Sequence, residues 1–183
     1  MKIKSGLLAF VLFSAFTVNA QLFSSETSKV SFDSKTPMED IAAQTDKAKA
    51  AINIDTKKVV IKIKMISFKF AKPLMEEHFN EKYVESEKFP DATFNGSIVE
   101  NVDLSKNGTY KISVKGVLNI HGVEQPRTLS GIAIVKDGKI DLTTSFDVKL
   151  VDHKIEVPKV VVKNIAEVIS VQAHFVCIPH VKK

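Results

Sequence analysis

The segment YKISVKGVLNIHG, Tyr110–Gly122, alternates between two kinds of residue. From Tyr110 to Ile120 every even-numbered position is apolar or glycine, and most odd-numbered positions are lysine, serine or asparagine. Successive side chains of a β-strand point to opposite faces, so this pattern predicts a strand with one buried and one solvent-facing side. The His121-Gly122 pair that follows predicts a tight turn.

The same alternation recurs along the chain. It is found at Ile140–Leu150 and Ile169–Cys177, and in shorter rows near residues 30–32, 48–54 and 92–98. Turn residues separate the rows, and Asn107-Gly108 and Asp137-Gly138 predict tight hairpins. This spacing predicts an all-β fold with about eight antiparallel strands, which closes into a barrel or folds into a sandwich.

One row changes phase. Val59, Ile61, Ile63 and Met65 share one parity, whereas Ile66, Phe68 and Phe70 share the other. A strand with a period of two cannot do this without a bulge or a sharp bend. The sequence therefore predicts such a break near Met65–Ser67.

A helical pattern interrupts the strands at about residues 72–85. Pro73 suits the first turn of a helix, and Pro90 prevents the helix from continuing. An apolar stripe at helical spacing faces one side, and acidic residues face the other. The stripe consists of Leu74, Met75, His78, Phe79 and Tyr83. We expect this short helix to lie across one end of the barrel, where it plugs or lines the interior.

The first twenty residues have the features of a signal peptide. Lys2 and Lys4 precede the apolar run Leu7–Phe16, and Val18-Asn19-Ala20 is a small-residue cleavage site. The run is too short for a comfortable membrane span. We therefore predict cleavage after Ala20, a mature domain of residues 21–183, no stable membrane anchor, and a periplasmic or secreted location.

Charge and cysteine content narrow the classes of partner. The formal net charge of +5 is scattered, and Arg127 is the only arginine. Nucleic-acid surfaces usually cluster arginine and lysine with aromatics, so no nucleic-acid partner is expected. Cys177 is the only cysteine, which excludes an intramolecular disulfide. Its parity with Phe175 predicts that it is buried.

Candidate catalytic and metal-binding groups are weakly supported by the sequence. His174, Cys177 and His180 have a spacing similar to that of metal ligands, but a strand would turn His174 and Cys177 to opposite faces. The Glu76–Glu81 segment lacks the paired histidines of a zinc motif. Asp152-His153 falls in a charged connection, Val151–Lys159, which we predict to be an exposed loop. We expect no catalytic site, no metal and no cofactor.

The inward rows mix large residues with small ones such as Ala92, Gly96 and Gly116. Small residues inside a barrel either fit its taper or leave room for a ligand, and the pattern alone is consistent with both. A ligand between such walls would be apolar. The predicted lining residues come from the inward rows and the helix: Phe32, Ile63, Leu74, Met75, Phe79, Tyr83, Phe94, Tyr110, Ile112, Phe146 and Phe175.

Two segments resemble the signatures of the YceI-like family. They are EKFPDATFNGSI, Glu87–Ile98, and GVLNIHGVEQPRTL, Gly116–Leu129. The resemblance implies a periplasmic or secreted eight-stranded antiparallel β-barrel of lipocalin-like shape. Members of the family are described as binding polyisoprenoids or other long lipids inside the barrel.

The leading hypothesis is a non-enzymatic binding protein that sequesters a long apolar molecule. A polar head group of this ligand would meet Tyr83, His78 or Tyr110. One alternative is a closed barrel that acts through its surface as a stress or partner-binding module. Another is an enzyme with an unrecognised site. An internal cavity distinguishes the first two, and the sequence leaves the oligomeric state open.

Overall fold

The computed structural model describes residues 22–158 and 163–180. These residues form ten β-strands and a short helix, α1. Their bounds are β1 Leu22–Lys35, β2 Asp40–Thr45, β3 Lys49–Asn53, β4 Lys58–Lys64, β5 Lys69–Phe70, α1 Pro73–His78, β6 Asp91–Ile98, β7 Gly108–Ile120, β8 Val123–Lys136, β9 Lys139–Lys149 and β10 Val168–Pro179. Three further helical turns occur at Met65–Ser67, Phe79–Tyr83 and Leu150–His153.

The strands form a closed antiparallel barrel with eight positions around the ring. Each of β6 to β10 pairs with its sequence neighbour, and β10 pairs with β1 to close the ring. One position is shared by β2 and β3, which pair with opposite halves of β1. The next position is shared by β4 and the short β5, which pair with β3 and β2 respectively. The predicted eight-stranded barrel is confirmed.

The strand break predicted at Met65–Ser67 is confirmed as a 3-10 turn between β4 and β5. The Met65 N–H donates to the carbonyl oxygen of Pro90 at 2.9 Å, and the Phe68 N–H donates to that of Met65 at 3.2 Å. Met65 and Phe68 are both buried, whereas Ile66 between them faces solvent. The turn thus restores an inward orientation after the parity change.

The predicted helix is also confirmed, with one correction. Pro73 lies in the first turn of α1, and a π-helical turn, Phe79–Tyr83, continues the helix before the chain returns to β6. Met75 and Phe79 face the barrel. Leu74 does not, because it is 58% exposed on the outer side. The assignment of Leu74 to the inward stripe was therefore wrong.

Two-residue turns connect β7 to β8 and β8 to β9. His121 and Gly122 have φ angles of 55° and 70°, and Asp137 and Gly138 have angles of 51° and 73°. Two successive positive φ angles are typical of the type I′ turn. The prediction of a hairpin at Asn107-Gly108 was wrong, because that pair ends the longer connection of residues 99–107 between β6 and β7.

Phe89 and the β7–β8 turn hold the chain between the helix and β6 in place. The rings of Phe89 and His121 meet edge-on, with their centroids 4.5 Å apart. A Cβ atom on Gly122 would lie 2.6 Å from Cε1 of Phe89, so only glycine fits beneath the ring. His121 Nε2 also lies 2.8 Å from a carboxylate oxygen of Glu85. The two signature segments therefore contact each other and fix the exit of the helix.

The end of the barrel that contains the β8–β9 turn is filled by side chains. Ile52, Ile140, Phe175 and Cys177 are almost completely buried there. Gly116 allows close strand approach, because a Cβ atom at this position would lie 2.3 Å from the backbone oxygen of Asn95. Along these strands, small residues accommodate tight packing.

The connection after β9 differs from the exposed loop that the sequence predicts. His153 is completely buried, and its Nδ1 lies 3.2 Å from the carbonyl oxygen of Val123. The side-chain amide of Gln125 donates to the carbonyl oxygen of Asp152 at 2.7 Å. These contacts attach the Leu150–His153 turn to the start of β8. Lys159, at the end of the predicted loop, lies outside the described residues.

The predicted signal peptide and its cleavage after Ala20 also fall outside the described residues. Within residues 22–158 and 163–180, no helix has the length and apolar character needed to cross a membrane. Export therefore stays a prediction that rests on residues 1–20.

Cys177 offers a test of barrel closure. Its side chain is completely buried, and burial raises the pKa of its thiol to about 12. Because only the thiolate reacts, we expect no labelling of the native protein by a thiol reagent at pH 8 and full labelling after unfolding in denaturant. Rapid labelling of the native protein would show that the β1–β10 seam opens readily.

The contact between Phe89 and Gly122 predicts a difference between two glycines of similar φ. Gly138→Ala places a side chain in open space, so it should cost only the left-handed backbone strain, about 1–2 kcal/mol. Gly122→Ala adds a clash with Phe89 and should cost roughly 1–3 kcal/mol more. Chemical denaturation measures both changes in the free energy of unfolding. Equal losses would mean that the Phe89 contact does not matter.

Candidate functional site

A cavity of about 350 Å³ lies at the end of the barrel that the helix covers. Its walls come from β1, β2, β4 to β7, the helical segment, the end of β9, the start of β10 and the connection between β9 and β10. Most of the lining side chains are aliphatic or aromatic. An apolar cavity of this kind suits an apolar chain rather than a charged molecule.

Four phenylalanine rings form one wall of this cavity. Phe79 of the helical segment stacks on Phe32 of β1, with ring centroids 5.4 Å apart. It also contacts Phe68 at 5.8 Å and Phe70 at 5.1 Å. Offset and edge-on ring contacts at such distances stabilise a cluster beyond the burial of apolar area. We call Phe32, Phe68, Phe70 and Phe79 the phenylalanine cluster.

The order of elements in the sequence creates the phenylalanine cluster. Phe32 lies in the inward row of β1, and the break at Met65–Ser67 precedes Phe68 and Phe70. Phe79 then arrives from the helical segment, just after α1 ends. The strand break and the helix therefore act together, because each supplies rings that the other packs against.

Five polar residues also line the cavity: Ser34, Glu39, His78, Tyr83 and Asn164. Glu39 accepts hydrogen bonds from Lys72 Nζ at 2.8 Å and from the Asn164 amide at 3.3 Å. These contacts, that with Lys72 first, lower the pKa of the Glu39 carboxyl below its usual value. Glu39 is therefore ionised near neutral pH. It joins the β1–β2 turn both to the start of the helix and to the connection before β10.

Tyr83 and His78 occupy the helical side of the cavity. Burial raises the pKa of the Tyr83 phenol, which consequently stays protonated at neutral pH. Within the part of the chain that the structure describes, neither side chain has a hydrogen-bond partner. Both therefore present polar atoms that a ligand can use.

The structure brings six of the predicted lining residues to the cavity and places five elsewhere. The six are Phe32, Ile63, Met75, Phe79, Tyr83 and Phe146. Leu74 faces solvent, whereas Phe94, Ile112 and Phe175 are buried in the filled part of the barrel. Tyr110 lies at the opposite end, where its hydroxyl donates to the carbonyl oxygen of Lys106. Contact between any of these residues and a ligand stays a prediction.

Several cavity residues were not predicted. Phe68 and Phe70 follow the change of parity at Met65. This change was a local sequence signal that could have predicted their inward orientation. Ser34 continues the inward row of Val30 and Phe32, so its parity was informative as well. Glu39 and Asn164 had no local signal, because they meet across 125 residues of sequence.

The histidine, cysteine and acidic residues that the sequence offers as candidate metal ligands do not lie close together. His174 Nε2 pairs with Asp141 at 2.9 Å on the outer surface, while Cys177 points into the core. Within residues 22–158 and 163–180, no three His, Cys, Asp or Glu side chains are grouped to hold a metal ion.

A second concavity, of about 750 Å³, lies on the outer side of the helical segment. It is lined by five glutamates: Glu76, Glu77, Glu81, Glu85 and Glu87. Lys69 pairs with Glu76, and Lys88 lies near Glu85. Because its walls are charged, this concavity does not suit an apolar chain.

Comparisons with known proteins place this fold among characterised structures. Residues 22–177 match the model of a family described as the YceI-like domain. No curated protein sequence matches the chain significantly. A solved polyisoprenoid-binding domain from Saccharophagus degradans, implicated in plant cell wall breakdown, is 15% identical, with a TM-score of 0.74 over 86% of this chain and 98% of that one.

Two further solved structures are similar. BcnA from Burkholderia cenocepacia is 18% identical, with a TM-score of 0.70 over 81% of this chain and 95% of its own. The YCEI protein from Campylobacter jejuni is 18% identical, with a TM-score of 0.60 over 76% of this chain and 85% of its own. At these identities the similarity shows a shared fold.

The cavity-facing and solvent-facing sides of the helical segment should contribute unequally to the free energy of unfolding. A Phe→Ala change in a full core costs about 3–5 kcal/mol, and we expect roughly 2 kcal/mol for Phe79→Ala because this ring borders a cavity. Leu74→Ala should be within about 0.5 kcal/mol of wild type because Leu74 faces solvent. Thermal unfolding of both variants checks the difference. Similar losses would contradict the orientation of the helix.

Proposed function

The chain belongs to the YceI-like family, and from this membership and the cavity we propose an exported, non-enzymatic binding protein. It holds the apolar chain of a lipid, a polyisoprenoid or a similar long molecule, between the barrel and the helical segment. The proposed location is the periplasm or the cell exterior, on the basis of the signal-peptide features of residues 1–20.

The observation that carries this proposal is the apolar cavity beside the phenylalanine cluster. Transfer of apolar surface from water into such a site is favourable by about 25 cal/mol per Å². Phe79 comes from the helical segment, so a small movement of that segment admits or releases a chain. The name of the Saccharophagus degradans relative, a polyisoprenoid-binding domain, agrees with this ligand class.

The cavity volume limits how much of a lipid is enclosed. At roughly 30 Å³ per water-sized group, 350 Å³ holds about a dozen non-hydrogen atoms. The cavity as it stands therefore takes about ten carbons, or two isoprene units. A longer chain would place one end inside, with the remainder outside or enclosed after the helical segment moves away.

The alternatives are less well supported. A closed barrel that acts through its surface accounts for the filled end of the barrel but not for the phenylalanine-lined cavity. General acid–base catalysis is most efficient when the pKa of the catalytic group lies near the working pH. The pKa of Glu39 is lowered and that of Tyr83 is raised, so both shifts lead away from neutrality.

Two matched substitutions, each of an alanine by leucine, test the proposal. Ala92 lines the cavity, whereas Ala42 faces solvent on β2. Ala92→Leu fills part of the space, so it should weaken saturable binding of the neutral fluorescent probe N-phenyl-1-naphthylamine about tenfold or more. Ala42→Leu adds the same atoms outside and should bind as wild type does. Fluorescence titration gives the dissociation constants, and circular dichroism checks the fold of each variant.

Two outcomes would count against a lipid-binding role. If wild-type protein shows no saturable binding of the probe, the closed-barrel alternative is favoured. If Ala92→Leu and Ala42→Leu both bind as wild type does, the probe occupies another surface.

A further inference from the structure

We infer that Ser34, Glu39 and Asn164 form a head-group subsite at the β1–β2 side of the cavity, and that this subsite selects a neutral, hydroxyl-bearing lipid over a phosphorylated one. The inference rests on the proposed function, because it concerns the polar end of a molecule held in the same cavity.

Ser34 supplies a buried hydrogen-bond donor. Its residue is 2% exposed and lines the cavity. Ser34 Oγ accepts a hydrogen bond from the Ala166 N–H at 2.8 Å. A serine hydroxyl also carries one hydrogen to donate, and no acceptor for it is present among the described residues. A buried donor without a partner is unfavourable, so a ligand oxygen that accepts its hydrogen bond is favourable at this point.

Glu39 supplies an ionised acceptor. Glu39 lines the cavity, with its side chain 20% exposed, whereas Lys72, which neutralises it, is not part of the cavity wall. Each carboxylate oxygen accepts one hydrogen bond here, from Lys72 or from Asn164, and retains capacity for another. A head group that enters from the cavity therefore meets the negative partner of this ion pair first.

Ser34, Glu39 and Asn164 border the same end of the cavity because the segments that carry them meet there. Ser34 pairs in register with Ile41 across the β1–β2 hairpin, and Glu39 lies at the turn of that hairpin. The connection before β10 contacts both sides, through Asn164 to Glu39 and through Ala166 to Ser34. One donor and one acceptor thus border the same end of an apolar cavity.

A hydroxyl group fits this arrangement because it accepts one hydrogen bond and donates another. A phosphate at neutral pH is chiefly an acceptor with negative charge, so Glu39 would repel it. The structure therefore favours a long-chain or isoprenoid alcohol over its phosphate ester.

Geraniol and geranyl phosphate test the inference, because they share a chain that fits the cavity and differ only in the head group. Each is used to displace N-phenyl-1-naphthylamine from the wild-type protein, from Glu39→Gln and from Glu76→Gln. Glu76 is the matched control, because it is another glutamate paired with a lysine but lies on the outer side of the helix. Glutamine keeps the size of the side chain and removes the charge.

We expect geraniol to displace the probe from wild-type protein at a concentration at least tenfold lower than geranyl phosphate does. Glu39→Gln should reduce this selectivity ratio about tenfold, as the loss of one charged contact predicts. Glu76→Gln should leave the ratio unchanged.

Three results would overturn the inference. The first is that geranyl phosphate binds wild-type protein as tightly as geraniol does. The second is an unchanged ratio in Glu39→Gln, and the third is an equal reduction in Glu76→Gln, which would indicate a general charge effect. These results leave the proposed function standing if the probe and geraniol bind. Failure of the probe itself to bind would remove both.

Discussion

The break in the barrel wall at Met65–Ser67 is the feature on which the rest of the structure depends. A regular strand would continue its parity and turn Phe68 and Phe70 away from the positions that they occupy. The 3-10 turn instead keeps Met65 and Phe68 buried and leads the chain through β5 into the helix. Without this turn, Phe79 would lose its contacts with Phe68 and Phe70 and keep only Phe32 as an aromatic neighbour.

The barrel consequently has two ends with different properties. At one end, side chains such as Ile140, Phe175 and Cys177 fill the interior. At the other end, the helical segment covers a cavity that the phenylalanine cluster borders. Phe89 and His121, one from each signature segment, fix where the helical segment leaves the barrel. Phe89 and His121 therefore support the cavity from outside, whereas Ala92, Leu118 and Ile120 of the same two segments line it.

Much of this fold could be predicted from local sequence pattern, because a period of two and a change of parity are local properties of the chain. The rotation of the helix was harder to predict. α1 has six residues, too few for its apolar stripe to decide that Leu74 faces solvent. His153 was missed because its burial depends on a backbone carbonyl of another strand. Glu39 and Asn164 meet through the connection before β10, a long-range contact without a local signal.

The most direct test of the central claim is native mass spectrometry of the protein isolated from its own cells, followed by lipid extraction. The account predicts one lipid molecule per chain, retained under gentle conditions and released when the protein unfolds. Chromatography of the extract should identify an apolar chain. A mass equal to the polypeptide alone, in repeated preparations that retain other lipid–protein complexes, would contradict it.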